Sequence, residues 1–140
     1  MAIAKWTDEL KTGVSDVDKQ HKELINLINN LHDALIQGKG KERVEEALTF
    51  LSNYVVEHFK CEEDLMLKHN YTGFPAHKRE HERFVYDVTA LANDFKQTAN
   101  PSFLAITLQK SIVDWLVNHI LKVDKEMAKF IIEKTGGRAA

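Results

Sequence analysis

Residues 44–65 read VEEALTFLSNYVVEHFKCEEDL, and this stretch carries the clearest structural signal in the chain. Its apolar residues recur alternately four and three positions apart, which is the period of one face of an α-helix. Toward its C-terminal end the same face includes two polar residues, His58 and Glu62. The stretch therefore predicts an amphipathic helix that buries an imidazole and a carboxylate, and buried polar groups need partners.

Three other segments show the same helical period between turn residues. Four such helices joined by short loops predict an all-α fold, an up-down-up-down antiparallel four-helix bundle. An N-terminal arm of residues 1–14 precedes them, with Trp6 as its expected anchor. The predicted helices span roughly residues 16–37, 41–69, 75–97 and 102–134.

Two local details of the helices are also predicted. Ser15 and Asp18 have the spacing of a variant capping box at the start of the first helix. The inward stripe of the fourth helix is expected to include Trp115, His119 and Val123.

Length and composition restrict the classes of function. The 140 residues, 44% of them hydrophobic, suffice for a single domain (residues 1–140) with one core. Because 19 basic and 21 acidic residues are mixed along the chain, no surface for nucleic acid is expected. The absence of a long apolar run excludes membrane insertion, and the single cysteine and the lack of a leader favour a cytoplasmic location. The seven histidines are the unusual feature of the composition.

Six polar residues fall on positions that the helical period assigns to the interior. Two pairs among them are spaced four apart, so each pair projects from one helix face and can bind one metal ion or two. In an antiparallel bundle, the start of the first and third helices meets the end of the second and fourth, and all six residues lie toward that end. This predicts a metal-binding cluster of His21, His58, Glu62, His77, His81 and His119.

The remaining histidines and the cysteine are not expected to bind metal. His32 and His69 each lie eleven residues beyond a predicted ligand, which is about 16 Å along a helix. We therefore assign His32 to packing or the far bundle surface, and His69 to a helix end or loop. Cys61 lies one residue off the buried stripe and is given no role.

A second carboxylate ligand is not fixed by this argument. Asp124 follows His119 by five residues, and an ideal helix turns these two residues about 140° apart. Either a local π-type bulge realigns them, or the two side chains reach the cluster from opposite flanks of the helix. Glu126 shares the face of His119 but lies about 10 Å further along the axis. Glu63 and Glu80 are interpreted as solvated side chains beside ligands.

The order and spacing of these residues resemble those of the hemerythrins, in particular their bacterial single-domain members, the bacteriohemerythrins. The resemblance covers nearly the whole chain, including the arm. It rests on His21, on the H-x-x-x-E of His58 and Glu62, on the H-x-x-x-H of His77 and His81, and on the H-x-x-x-x-D of His119 and Asp124.

The resemblance implies a non-haem centre of two iron ions with an oxo or hydroxo bridge, ferrous in the deoxy form and ferric in the oxy form. It implies that Glu62 and Asp124 bridge both irons, and it favours Asp124 over Glu126. One iron would be completed by His77, His81 and His119, and the other, held by His21 and His58, would keep one position for O2.

The implied function is reversible O2 binding for oxygen transport, storage or delivery to an oxygen-consuming enzyme, without catalysis. Small anions such as azide are expected to bind the diferric form. Zinc, cobalt or manganese would fit the same imidazole and carboxylate donors. Two alternatives are an oxygen or redox sensor and a protein that handles peroxide, nitric oxide or iron. A dry O2 pocket would involve Ile25, Phe59 and Trp115, and ordinary packing in the core is the alternative interpretation of each.

Overall fold

Four helical rods account for most of residues 4–38, 40–98 and 101–136, which a computed structural model describes. The rods are α1 (Ser15–Ile36), α2 (Lys41–Lys68), α3 (Phe74–Thr98) and a fourth rod over residues 101–135. α1 packs against α2 and the fourth rod, and α3 packs against the same two neighbours. The predicted all-α, up-down-up-down four-helix bundle is confirmed.

The sequence predictions extend beyond the described residues at a few points. Residues 1–3 of the predicted arm, residue 39 in the first loop, residues 99–100 and residues 137–140 of the predicted domain lie outside them. Within the described part, no helix combines the length and the apolar character needed to cross a membrane.

The fourth rod is not a uniform α-helix. It consists of α4 (Pro101–Thr107), a first π-helix (Leu108–Val113), α5 (Asp114–His119), a second π-helix (Ile120–Asp124) and α6 (Lys125–Thr135). Each π-helix inserts i to i+5 hydrogen bonds and changes which later residues face inward. The predicted inward stripe is therefore wrong at two positions: Trp115 and Val123 are half-buried, whereas Leu116 and Asp124 are buried.

The start of α1 differs from the predicted capping box. The residue at the N-cap is Val14, and no side chain caps the helix there. The predicted pairing of Ser15 with Asp18 is therefore wrong. The buried Asp18 carboxylate instead accepts hydrogen bonds from Thr12 N and Thr12 Oγ1, both at 2.7 Å, and from Gly13 N at 3.2 Å. These bonds turn the arm back onto α1.

The arm lies along the bundle. Ala4 N donates to Asn29 Oδ1 at 3.0 Å, and Asn29 Nδ2 donates to Ala4 O at 2.8 Å. Leu10, at the end of a short 3-10 helix, is buried, and this helix contacts the second π-helix. Trp6 is partly buried and packs against the bundle. The arm therefore covers the segment of the fourth rod that ends at Asp124.

The apolar interior has two parts. The main core contains most of the buried apolar residues and fills the greater part of the bundle. On each rod, buried polar residues separate the main core from a smaller cluster. We call this cluster the end core; its buried members are Val14, Val17, Met66, Met127, Ala128 and Ile131.

Candidate metal centre

Seven buried polar side chains converge between the main core and the end core. They come from all four rods, and each is at most 2% exposed. Burying so many polar groups is costly unless they satisfy one another or bind a cation. The seven are His21, His58, Glu62, His77, His81, His119 and Asp124.

Glu62 directs its two carboxylate oxygens toward different histidines. Oε2 lies 3.1 Å from Nε2 of His21 and 2.6 Å from Nε2 of His58. Oε1 lies 3.3 Å from Nε2 of His77 and 3.1 Å from Nε2 of His81. The carboxylate therefore stands between two groups of imidazole nitrogens.

Asp124 divides its oxygens in the same way. Oδ2 lies 3.0 Å from Nε2 of His21. Oδ1 lies 2.9 Å from Nε2 of His77 and 3.1 Å from Nε2 of His119. Each carboxylate thus presents one oxygen to each group of histidines.

The result is two donor sets that share both carboxylates, and within each set the ligand atoms lie within 4.8 Å of one another. The five-donor set combines the two carboxylates with three histidines, and the four-donor set combines them with two. The five-donor set adds His77, His81 and His119, and the four-donor set adds His21 and His58.

Most of these ligand atoms face one another at 2.6–3.3 Å, but they have no partner with the geometry of a hydrogen bond among the described residues. A buried polar atom without a partner costs about 1–3 kcal/mol, a cost that a bound cation removes. Imidazole nitrogens and carboxylate oxygens are suitable donors for iron. Two cations therefore fit the residues present. The unpartnered atoms are Nε2 of His58, His77, His81 and His119, Oε1 of Glu62, and both carboxylate oxygens of Asp124.

The second π-helix brings Asp124 to the cluster. An α-helix would turn Asp124 about 140° away from His119, five residues earlier. The i to i+5 bonding of the π-helix instead places both residues on one face. Glu126 is exposed and belongs to neither donor set. Of the geometries that the sequence left open, the structure has the π-type bulge.

Two glutamates outside the cluster contact histidines of the five-donor set. The Nδ1 atom of His81 lies 2.9 Å from Oε2 of Glu63, and that of His119 lies 2.8 Å from Oε1 of Glu80. Both glutamates are partly exposed and lie beside predicted ligands, as the sequence indicated, but their contacts with the histidines were not predicted. Their position beside ligands was a usable signal, because metal-binding histidines commonly donate their second N–H to a carboxylate.

A third histidine of the cluster contacts a neutral side chain that lies outside the cluster. The sequence analysis did not predict this contact. The Nδ1 atom of His58 lies 2.7 Å from Oε1 of Gln20. The amide nitrogen of Gln20 donates to Sγ of Cys61 at 3.5 Å. Among the described residues, Nδ1 of His21 and Nδ1 of His77 have no hydrogen-bond partner.

The electrostatics of the cluster couple its histidines to its carboxylates. Burial opposes a charge on His21, but contacts with Asp124 and Glu62 outweigh it and raise the pKa of His21 to about 10. The same balance raises the pKa of His77 to about 9. Burial alone would raise the pKa of Glu62 and Asp124, but the surrounding imidazoles hold both below their ordinary range. Protons and metal cations therefore compete for the same nitrogen atoms.

Aromatic rings cover part of the five-donor set. Phe59 stacks on His81 with ring centres 3.8 Å apart, and Trp115 stacks on His119 at 4.4 Å. Ile25 is buried in the main core. The structure thus places two of the three predicted pocket residues against ligands of the five-donor set, and their role toward O2 stays a prediction.

The other histidines stand apart from the cluster. His32 and His69 are both partly exposed, and neither belongs to a donor set. His69 follows the last residue of α2, as a helix-end assignment implies. Both residues therefore serve as comparison positions for substitutions at ligands.

Comparison with known proteins gives one consistent result. The sequence model of the hemerythrin HHE cation binding domain matches residues 12–131, which include all seven converging side chains. A bacteriohemerythrin of Methylococcus capsulatus is 40% identical over 126 residues, covering 89% of this chain and 94% of that protein. A bacteriohemerythrin of Pseudomonas aeruginosa is 36% identical over 124 residues, covering 89% of this chain and 78% of that protein.

The similarity extends to three-dimensional structure. A crystal structure of wild-type hemerythrin superposes with a TM-score of 0.81 and is 36% identical in sequence. The superposition covers 93% of this chain and 98% of the crystallised chain. Sequence and fold comparisons therefore agree.

Proposed function

This chain belongs to the hemerythrin family, and on that premise we propose that it binds O2 reversibly at a centre of two iron ions and catalyses no reaction. One observation carries the proposal: Glu62 and Asp124 each direct one oxygen to each of two histidine groups. Carboxylates in this arrangement are suited to bridge two cations.

The two donor sets differ in the number of ligands that each would offer to its iron ion. The five-donor set would hold one iron and the four-donor set the other, with Glu62 and Asp124 shared. Because the four-donor set has one histidine fewer, it leaves room for a small external ligand. When bound, the irons supply the two electrons that O2 accepts on binding and returns on release.

The composition of the ligands supports reversibility. Five neutral imidazoles and two carboxylates bring little negative charge to the site. More carboxylates would stabilise the ferric state and oppose the return of electrons. The histidine-rich set therefore suits a carrier better than an oxidising enzyme.

The ligand side chains are shielded from bulk solvent. Each ligand side chain is at most 2% exposed, and the apolar cores lie on both sides of the cluster. Phe59 stacks on His81, and its ring centre lies 5.6 Å from that of His58, so one phenyl ring contacts both donor sets. Ile25 lies one turn after His21. We propose that Ile25 and Phe59 keep the four-donor position dry, and that Trp115 does so on the other side.

The biological role that we propose is that of an oxygen carrier that catalyses no reaction. We propose oxygen transport, storage or delivery to an oxygen-consuming enzyme, in the cytoplasm. Because a diferric site would carry excess positive charge, small anions such as azide would bind to it. A change in the visible spectrum on azide titration of the oxidised protein would support an open position.

The test is a cycle of oxygenation. The protein is loaded with ferrous iron without air, exposed to O2, and then flushed with argon while its visible absorption is recorded. A spectrum that appears with O2 and disappears with argon supports carriage. Oxidation in one direction, with turnover of a substrate, contradicts it.

One substitution at a proposed ligand and one at a control histidine test whether the oxygenation cycle depends on the proposed ligands. His58→Ala, in the four-donor set, is expected to abolish binding of two iron ions. His69→Ala, eleven residues later in sequence and just after α2, is the control and should retain two irons and the full cycle. Stoichiometric iron in the His58→Ala protein would show that the ligand assignment is wrong.

A further inference from the structure

Gln20 connects the two helices that carry the histidines of the four-donor set. It precedes His21 on α1, and it contacts both His58 and Cys61 on α2. Its amide nitrogen donates to Sγ of Cys61 at 3.5 Å, which leaves its oxygen 2.7 Å from Nδ1 of His58. The carbonyl oxygen can only accept, so His58 donates its Nδ1–H and presents the lone pair of Nε2 to the cluster.

The acceptor behind His58 differs in charge from those in the five-donor set. His81 and His119 donate Nδ1–H to carboxylates, at 2.9 and 2.8 Å. A carboxylate behind an imidazole raises its strength as a donor to metal, and a neutral amide does so much less. In the four-donor set, His58 is backed by an amide, and Nδ1 of His21 has no partner among the described residues. Within the described part of the chain, no carboxylate therefore contacts the histidines of this set at Nδ1.

We propose that Gln20 is the positioning residue for His58, and that its neutral amide keeps the four-donor set a weaker electron donor than the five-donor set. The inference rests on the proposed function, because it assigns a property to the position that would take the external ligand. A weaker donor set stabilises the ferrous state, which a carrier must regain each time it releases its ligand.

A purely structural role for Gln20 makes a different prediction. If Gln20 only joined α1 to α2, any substitution would weaken the site or leave it unchanged. If the group that accepts the hydrogen bond from His58 sets the donor strength of this histidine, then removing the amide and replacing it with a carboxylate have opposite effects. Gln20→Leu and Gln20→Glu therefore distinguish the two roles.

The experiment measures stepwise binding of Co2+ by calorimetry. The wild-type protein is expected to bind two Co2+ ions in two distinguishable steps. Gln20→Leu should weaken one step by about ten- to a hundredfold and leave the other within about twofold, and Gln20→Glu should tighten that same step. Glu63→Gln, which removes a carboxylate behind His81, is the matched control and should weaken the other step.

A second measurement reports the hydrogen bond itself. In the Co2+ protein, the Nδ1–H proton of His58 should give a shifted NMR signal that exchanges slowly with solvent. This signal should exchange faster in Gln20→Leu and also in Cys61→Ala, which frees the amide to rotate. Thermal unfolding of each variant confirms that the bundle is intact.

The outcomes separate the two proposals. Gln20→Leu and Gln20→Glu shifting the same step in one direction, or shifting neither step, overturns the role of Gln20. Uptake of fewer than two Co2+ by the wild-type protein overturns the proposed two-metal function itself.

Discussion

His119 and Asp124 lie five residues apart in the chain, yet Nε2 of one is 3.1 Å from Oδ1 of the other because a π-helix separates them. The π-helix therefore places His119 and Asp124 on one face of the fourth rod, just as the four-residue spacing places His58 and Glu62 on one face of α2. Without it, only one carboxylate would face both groups of histidines.

Deleting Lys122, an exposed residue within this π-helix, tests that relationship. The deletion leaves His119 and Asp124 four apart, a spacing that an ordinary α-helix places on one face. We expect the shortened protein to bind two Co2+ ions with affinities within about tenfold of wild type, and to remain helical. Calorimetry and circular dichroism measure both. A folded deletion protein that binds no Co2+ would mean that the π-helix is itself required.

Glu62→Gln removes one of the two shared carboxylates without changing its shape. The neutral amide leaves the positively charged histidines around it unbalanced, so the metal-free protein should lose about 3–5 kcal/mol of unfolding free energy. Binding of both Co2+ ions should also be lost. Urea unfolding provides the measurement, and Glu126→Gln, at an exposed position, should change it by less than about 0.5 kcal/mol. Equal effects of the two substitutions would contradict the buried charge cluster.

The raised pKa values of His21 and His77 predict how metal uptake depends on pH. Both groups bind protons in the metal-free protein at pH 7, since their pKa values are about 10 and about 9. Uptake of Co2+ should therefore release protons and strengthen up to about tenfold per pH unit for each proton displaced, until pH 9–10. Calorimetry in two buffers of different ionisation enthalpy counts these protons. Uptake without proton release would exclude the raised values.

The same shifts have an opposite consequence for the metal-free fold. A histidine whose pKa is higher in the folded than in the unfolded protein stabilises the fold at pH values below about 6.5. That contribution disappears as the pH rises toward 9–10. The metal-free protein should therefore become less stable across this interval in urea unfolding, whereas the metal-bound protein should not. A flat profile for the metal-free protein would contradict the prediction.

Phe59→Ala removes the ring that stacks on His81 and lies beside His58. A cavity of this size in a core costs about 3–5 kcal/mol, and it admits water next to the ligands. We expect lower stability and faster irreversible oxidation of the oxygenated protein, followed by its visible spectrum. Phe50→Ala, on the same helix but 57% exposed, should leave both quantities near wild type. An unchanged oxidation rate in Phe59→Ala would remove Phe59 from the proposed dry pocket.

The sequence predicted the first three helices well because their buried residues follow one period. Val55, His58 and Glu62 are separated by three and then four residues, and the structure buries all three. The fourth rod departs from that rule, since two π-helices shift the inward face from Val123 to Asp124. A single α-helical period cannot represent this shift, so it leaves the choice between Asp124 and Glu126 open, and only the family resemblance favours Asp124.

Helical periodicity alone does not predict which side chains outside the cluster contact its histidines. Glu80 lies on α3, but the ring that it contacts, His119, lies on the fourth rod. Gln20 and His58 likewise belong to different helices. Such pairings depend on how neighbouring helices are rotated about their axes, and the period of one helix carries no information about that rotation.

The seven buried polar side chains form a layer that divides the apolar interior, and this division affects local unfolding. The end core contains six buried apolar residues among those that the structure describes, too few to offset the conformational entropy of the chain segments around it. These segments are the start of α1, the turn between α2 and α3, and the end of α6. Their order depends on the layer that joins them to the main core. Amide hydrogen exchange should therefore accelerate at this end of the bundle when the metal is removed, while α1 and α2 beyond the ligands stay protected.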